Sequence, residues 1–274
     1  MSLSGYLLSQ ADHHVRHTLA SSLAALLTSE YFWLAVGVGL AAQIVDGALG
    51  MAYGITSNSF LLGIGASPAA ASGAVHVAEI FTTALSGVSH IKFGNVDKQL
   101  FKKIVIPGVI GGVIGVIFLT SIDGKLLKPF VTAYLLIMGI VILRKAFKIH
   151  REKSSEELKH VRKLAVSGGF LDAVGGGGWG PVVTSSLIGQ GNNPRKTIGT
   201  VNTAEFFVAF FGTAIFVIFI ELNCWTVILG LIVGGALAAP LGAYLVNKTS
   251  KKTMFIAVGL TIIITSLISI SKVL

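Results

Sequence analysis

Four carboxylates stand where an apolar chain should have none. Asp46, Glu79, Asp172 and Glu205 each interrupt a long hydrophobic run, whereas the other acidic residues of the twelve lie at segment ends, in connectors or in the linker. A charge at the centre of a bilayer costs at least about 2.5–3.5 kcal/mol by insertion scales. Each of the four is therefore a candidate functional position. They also form pairs. Shifting the chain by 126 positions lays Asp46 on Asp172 and Glu79 on Glu205, and carries Val75-His76-Val77-Ala78-Glu79 onto Val201-Asn202-Thr203-Ala204-Glu205. The same shift matches Pro68 with Pro194, Gly73 with Gly199, Gly50 with Gly176 and Gly54 with Gly180.

The neighbours of these carboxylates suggest what they could do. His76 and Glu79 are separated by three positions, close enough on a helix to share a proton, and histidine side chains titrate near neutrality. Ser72, His76, Glu79, Thr83, Ser86 and His90 recur at intervals of four and three, which puts all six on one helical face. The second copy keeps Asn202 and Glu205 on that face but has Ile198, Ala209 and Gly212 elsewhere, so the pair is alike at its centre and unlike along its length. Asp46 and Asp172 admit two readings: caps for broken helices, accepting from free backbone N–H groups, or members of the site.

The run Gly175-Gly176-Gly177-Gly178-Trp179-Gly180-Pro181 lacks the Gly-Lys-Ser/Thr ending of a phosphate loop. Inside a membrane, Gly176, Gly177 and Gly178, with Gly50 and Gly54 in the first copy, read as unwound backbone whose N–H groups face an anion. Close backbone packing is the competing reading for any one of these glycines. Asn58, Ser59, Thr184 and Ser185 add polar groups just beyond each break, and Tyr53 and Trp179 would wall the site. With a single cysteine, Cys224, the chain has neither a disulfide framework nor a cysteine metal site. No metal or cofactor is expected: His13, His14 and His17 read as a solvated terminus, and no His/carboxylate constellation is evident in the spacing.

These residues need long helices to carry them. Hydrophobic residues make up 53% of the 274-residue chain and charged ones 12%, against about a quarter in soluble domains. Mean hydropathy is +0.81, and several apolar runs approach the roughly 20 residues needed to cross a bilayer. The fold class is all-α integral membrane. The formal charge of +9 lies in connectors and in the linker 144–163, not in an aromatic-lined groove, which excludes nucleic acid.

Each half offers either five apolar segments or three crossings plus a re-entrant hairpin, the breaks falling at 47–50 and 175–181. Either number is odd, so homologous halves insert with opposite orientation. Placing the linker inside also places Lys92–Lys103, Arg195-Lys196 and Lys248–Lys252 inside, and both termini outside. Inverted repeats with broken helices are an architecture of secondary transporters, with sites near the midplane. Small residues four apart in 104–120 and 230–242 read as helix-packing positions.

At the duplicated Gly-rich stretch and the polar helix start Thr200-Val201-Asn202-Thr203-Ala204-Glu205, the chain resembles the TauE/SafE family of sulfite exporters and relatives, over roughly 31–274. The first-half copy departs from the second, with Leu49, Met51 and Ala52 in place of glycines and Ile55 in place of Pro181. The resemblance implies transport of sulfite, an organosulfonate or a related small anion, driven by the proton gradient.

The expected organisation is an N-terminal segment 1–30, a first transmembrane repeat 31–143, a cytoplasmic linker 144–163 and a second repeat 164–274, in the inner cell membrane. The expected protein is a proton-coupled transporter of a small sulfur-containing anion and not an enzyme. His76, Glu79, Asn202, Thr203 and Glu205 would form its centre. Its partners would be the anion, protons and lipid, with a second copy of the chain as a further candidate. A passive ion channel and a transporter of a small cation are the alternatives left open by the carboxylates and by the absence of Lys or Arg within a span.

Overall fold

The computed structural model describes residues 21–22, 24–147, 160–245 and 251–271. The histidines at 13, 14 and 17, most of the segment 1–30 and the centre of the linker lie outside the described residues. The described residues form helices and no strands. In the first half these are α1 (Glu30–Leu49), α2 (Tyr53–Gly63), α3 (Pro68–Lys92), α4 (Lys98–Thr120) and α5 (Gly124–Lys145). In the second they are α6 (Val161–Gly175), a π-helical turn (Gly180–Thr184) running into α7 (Ser185–Gly189), α8 (Pro194–Phe219), α9 (Trp225–Leu245) and α10 (Lys251–Ser271). Five of them, α1, α4, α5, α8 and α9, are long and apolar enough to cross a membrane. The 25-residue α3 is also long enough, but its polar face dilutes its apolar character.

Local chemistry sets the helix ends. Ser67 and Asn193 accept from the N–H groups of Ala70 and Lys196, with Pro68 and Pro194 in the first turns of α3 and α8. Asp97 and Asp123 cap α4 and α5 in the same way. The first break falls at 50–52, later than the expected 47–50. Asp46 and Gly47 remain helical, and the chain leaves α1 only at Gly50, whose left-handed backbone (φ 66°) ends the helix. Gly176 ends α6 in the same conformation (φ 63°).

Helix α3 packs against α8 at the centre. His76 lies against Gly212, and Thr203 against Gly87, so the two run antiparallel. Ile262 against Gly139 and Leu143 against Gly259 make α5 and α10 antiparallel too. Antiparallel mates are what an inverted duplication produces. Across the halves, Phe32 meets Gly230 and Gly47 meets Gly242, so α1 runs parallel to α9; Val166 meets Gly111 and Phe170 meets Gly115, so α6 runs parallel to α4. After its break each short helix turns back along the one before it: Val183 returns to Gly168, and α2 ends at the turn that places Ser67 and Pro68 beside Gly124. The segments 31–65 and 161–190 are thus helical hairpins, each preceding three long helices.

Bare backbone lets α4 and α6 touch. A Cβ on Gly111 would lie 2.0 Å from the Val166 carbonyl oxygen, and one on Gly169 would lie 2.1 Å from that of Gly108. Gly111→Leu should therefore destabilise the protein by about 1–3 kcal/mol. Gly37→Ala, inside α1 with nothing within 4 Å, should leave the thermal midpoint in detergent unchanged or slightly raised. Equal midpoints for the two variants would contradict this packing.

Candidate functional site

The two breaks pass each other, antiparallel, where the hairpin tips meet. Gly54 lies against Gly177, and Met51 against Gly180. A Cβ on Gly177, whose φ is 150°, would stand 2.1 Å from the Ile55 nitrogen, so both the backbone conformation and the approach require glycine there. The carbonyl of Gly50 accepts from Thr184 Oγ1 at 2.8 Å, and that of Gly175 accepts from Asn58 Nδ2 at 2.7 Å. Since 58 and 184 are repeat mates, each half supplies a side-chain donor for the other's orphaned helix end.

The aspartates cap their own breaks. Asp172 Oδ1 accepts from the N–H groups of Gly178 (2.9 Å) and Trp179 (3.1 Å), while its carbonyl accepts from those of Gly176 and Gly177. Asp46 Oδ1 accepts from Tyr53 N–H more weakly, at 3.5 Å. This corrects one expectation: the N–H groups of 176–179 turn inward to Asp172 and do not face an anion. Aromatic rings brace both tips. Tyr53 donates to the Leu231 carbonyl (3.0 Å) and packs in the notch at Gly235, while Trp179 donates to the Val201 carbonyl (3.0 Å) and packs in the notch at Gly108. The small residues of α4 and α9 thus receive these rings as well as neighbouring helices.

Capping leaves Asp172 with a free oxygen. Its Oδ2 lies 3.6 Å from His76 Nε2 of the other half. Ligand atoms of His76, Glu79 and Asp172 all lie within 4.8 Å of one another, and the three side chains are at most 1% exposed. His76 Nδ1 contacts the Ser72 carbonyl at 2.9 Å; a carbonyl only accepts, so Nδ1 carries a hydrogen, and Nε2 is the nitrogen that faces the carboxylates. Neither oxygen of Glu79, nor Asp172 Oδ2, nor His76 Nε2 has a hydrogen-bond partner. Spacing along a single segment does not reveal this ligand set, because Asp172 reaches the His76–Glu79 pair from the opposite half.

The mate of this contact is softer. Asn202 Nδ2 lies 3.5 Å from the Asp46 carbonyl, and Asn202 Oδ1 accepts from Ser86 Oγ at 3.0 Å. Gly212, the mate of Ser86, leaves space for the larger His76 ring. All six residues of the stripe on α3 are buried. Ser72 donates to the Ala173 carbonyl at 2.6 Å, Thr83 donates to the Glu79 carbonyl, and His90 is held by Asn95 at 3.0 Å.

Other expected members are more peripheral. Glu205 is buried on α8 but stands outside the three-residue group. Thr203 donates to the Gly199 carbonyl of its own helix, and Ser185 faces the Met51 sulfur at 3.8 Å. Ser59 is buried without a partner, as is Ser57. Two polar residues were not anticipated. Tyr134 packs its ring against Gly175 with its hydroxyl unpartnered, and Gln43 is fully buried one turn before Asp46. An intramembrane glutamine and a mid-span tyrosine away from the interface were the available signals.

A multi-pass α-helical membrane protein with paired broken helices meeting at buried carboxylates belongs to the transporter class. Residues 35–268 match the family described as "Sulfite exporter TauE/SafE", and the chain belongs to that family. Over 234 residues it is 48% identical to a Bacillus subtilis (strain 168) protein described as "Probable membrane transporter protein YtnM", covering 81% of this chain and 77% of that relative. No solved structure matches. The chain is accordingly a membrane transporter and not an enzyme, with a small-molecule substrate and a lipid surround.

Ala52 holds a φ of 137° without being glycine, a conformation that costs of order 1–3 kcal/mol. Ala52→Gly should raise the thermal midpoint in detergent. A lower midpoint would mean that residue 52 is not held in this conformation.

Proposed function

We propose that the protein is a proton-coupled secondary transporter of sulfite, an organosulfonate or a related small sulfur-containing anion. The observation that carries this reading is the occluded meeting of His76 and Glu79 from one half with Asp172 from the other. A proton held there neutralises part of the buried charge and lowers the cost of admitting an anion nearby. Because the group bridges the halves, loss or gain of that proton changes how tightly the halves hold together. This is the differential interaction that alternating access requires.

With the N–H groups of 176–179 committed to Asp172, donors for the anion come from side chains. Ser57, Ser59 and Tyr134 have buried hydroxyls without partners, and Asn58 lies at the crossing. Asn202 and Glu205 complete the second half of the centre. The sulfur-anion class rests on the family description; the proton rests on the His76 contact. In this reading the protein sits in the cytoplasmic membrane with the linker 144–163 inside and its termini outside, and the repeats 31–143 and 164–274 rock against each other about the crossing.

In proteoliposomes with an imposed pH gradient, a panel of sulfite, thiosulfate, taurine, sulfoacetate, sulfate and sodium should give gradient-dependent flux for a sulfur anion and none for sodium. Asp172→Asn, His76→Gln and Glu205→Gln should each lower that flux by about tenfold or more, equivalent to about 1.4 kcal/mol. Flux in all three variants that keeps its full rate and pH dependence would sink the proposed coupling. Flux without gradient dependence in the unaltered protein would favour a channel.

A further inference from the structure

We infer that His76, Glu79 and Asp172 form a binding site for one divalent transition-metal ion of the zinc class, lying between the two halves. Three features on different elements converge on it. Both Glu79 oxygens, Asp172 Oδ2 and His76 Nε2 are buried and without hydrogen-bond partners, and one ligand atom from each of the three residues lies within 4.8 Å of the other two. The contact of His76 Nδ1 with the Ser72 carbonyl fixes the tautomer whose Nε2 lone pair ligates, an outer-shell arrangement common to metal-bound histidines. The second oxygen of Asp172 is engaged by the N–H groups of Gly178 and Trp179, which orients the ligating one.

One imidazole and two carboxylates suit zinc and its first-row neighbours better than magnesium or calcium, which prefer oxygen ligands throughout. Bonds to zinc are about 2.0–2.2 Å long, so ligand atoms about 3.4 Å apart enclose the ion. The His76–Asp172 separation of 3.6 Å is close to that spacing. The ion's two positive charges match the two carboxylates. It therefore satisfies groups that are otherwise costly to bury. Three protein ligands leave one coordination position for water or a small anion. The mate position carries Asn202, whose amide already bonds Ser86, so among the described residues the group occurs once. An ion there ties α3 to the second hairpin and clamps the halves together, arresting transport.

The test is equilibrium binding of zinc to the full-length protein in detergent, measured as bound metal and as thermal stabilisation. The three N-terminal histidines are replaced by alanine in the starting protein to remove a competing site. The expected result is one ion per chain, a raised thermal midpoint, and no comparable effect of magnesium. Asp172→Asn and His76→Gln should weaken binding by at least about tenfold to 100-fold, the range that outer-shell losses alone produce. Asn202→Ala should retain it. Because these variants can loosen the fold, magnesium-insensitive zinc binding in the starting protein, with competition by cobalt and its ligand-field spectrum, provides a second readout. No saturable binding, or binding unaltered by both ligand variants, would overturn the assignment. The outcome does not depend on which anion is carried: zinc binding can fail while flux persists, and persist where no sulfur anion moves.

Discussion

Inside lipid no backbone polar group can be left without a partner, and this protein breaks two helices there. Everything at its centre follows from how those breaks are repaired. Asp46 and Asp172 cap them from within, and Asn58 and Thr184 reach across to the carbonyls left at the opposing helix ends. The repair is mutual, so the tips have to cross, and crossing demands bare backbone at Gly54, Gly177 and Gly180. Tyr53 then anchors its tip by a hydrogen bond to α9 of the other half, while Trp179 bonds Val201 of its own half and packs against Gly108 of the other.

The duplication supplies the frame and divergence supplies the chemistry. His76 of the first half fits against Gly212 of the second, whereas its mate Asn202 in the second half is held by Ser86 of the first. The amide is held by a hydroxyl, whereas the imidazole faces carboxylates. Asp172 is also capped better than Asp46, with two N–H donors near 3 Å against one at 3.5 Å. The half with the firmer cap presents its remaining oxygen to the imidazole.

Much of this could be read from residue order. Long apolar runs and prolines at helix starts point to an all-α membrane protein, and the carboxylates recur at a fixed offset between its halves. The stripe from Ser72 to His90 could be placed on one face because a helix has a single period. The contact of His76 with Asp172 was not legible, since no periodicity relates residues on helices that meet only after folding. The fate of the 176–179 N–H groups was hidden for a nearer reason. A capping aspartate and an anion compete for the same donors, and only geometry decides between them. Thr203 likewise has a polar side chain on the right helix, yet its hydroxyl bonds its own turn.

The crossing of the hairpins also bears on how the chain is made. The first break is repaired by Thr184, which is translated 134 residues after Gly50. At about 5–20 residues per second, the ribosome takes on the order of ten seconds to supply it. For that interval the first hairpin sits in the membrane with an unfinished tip. Its early stability has to come from α3 and from water or insertion machinery at the break, until the second half arrives to close it.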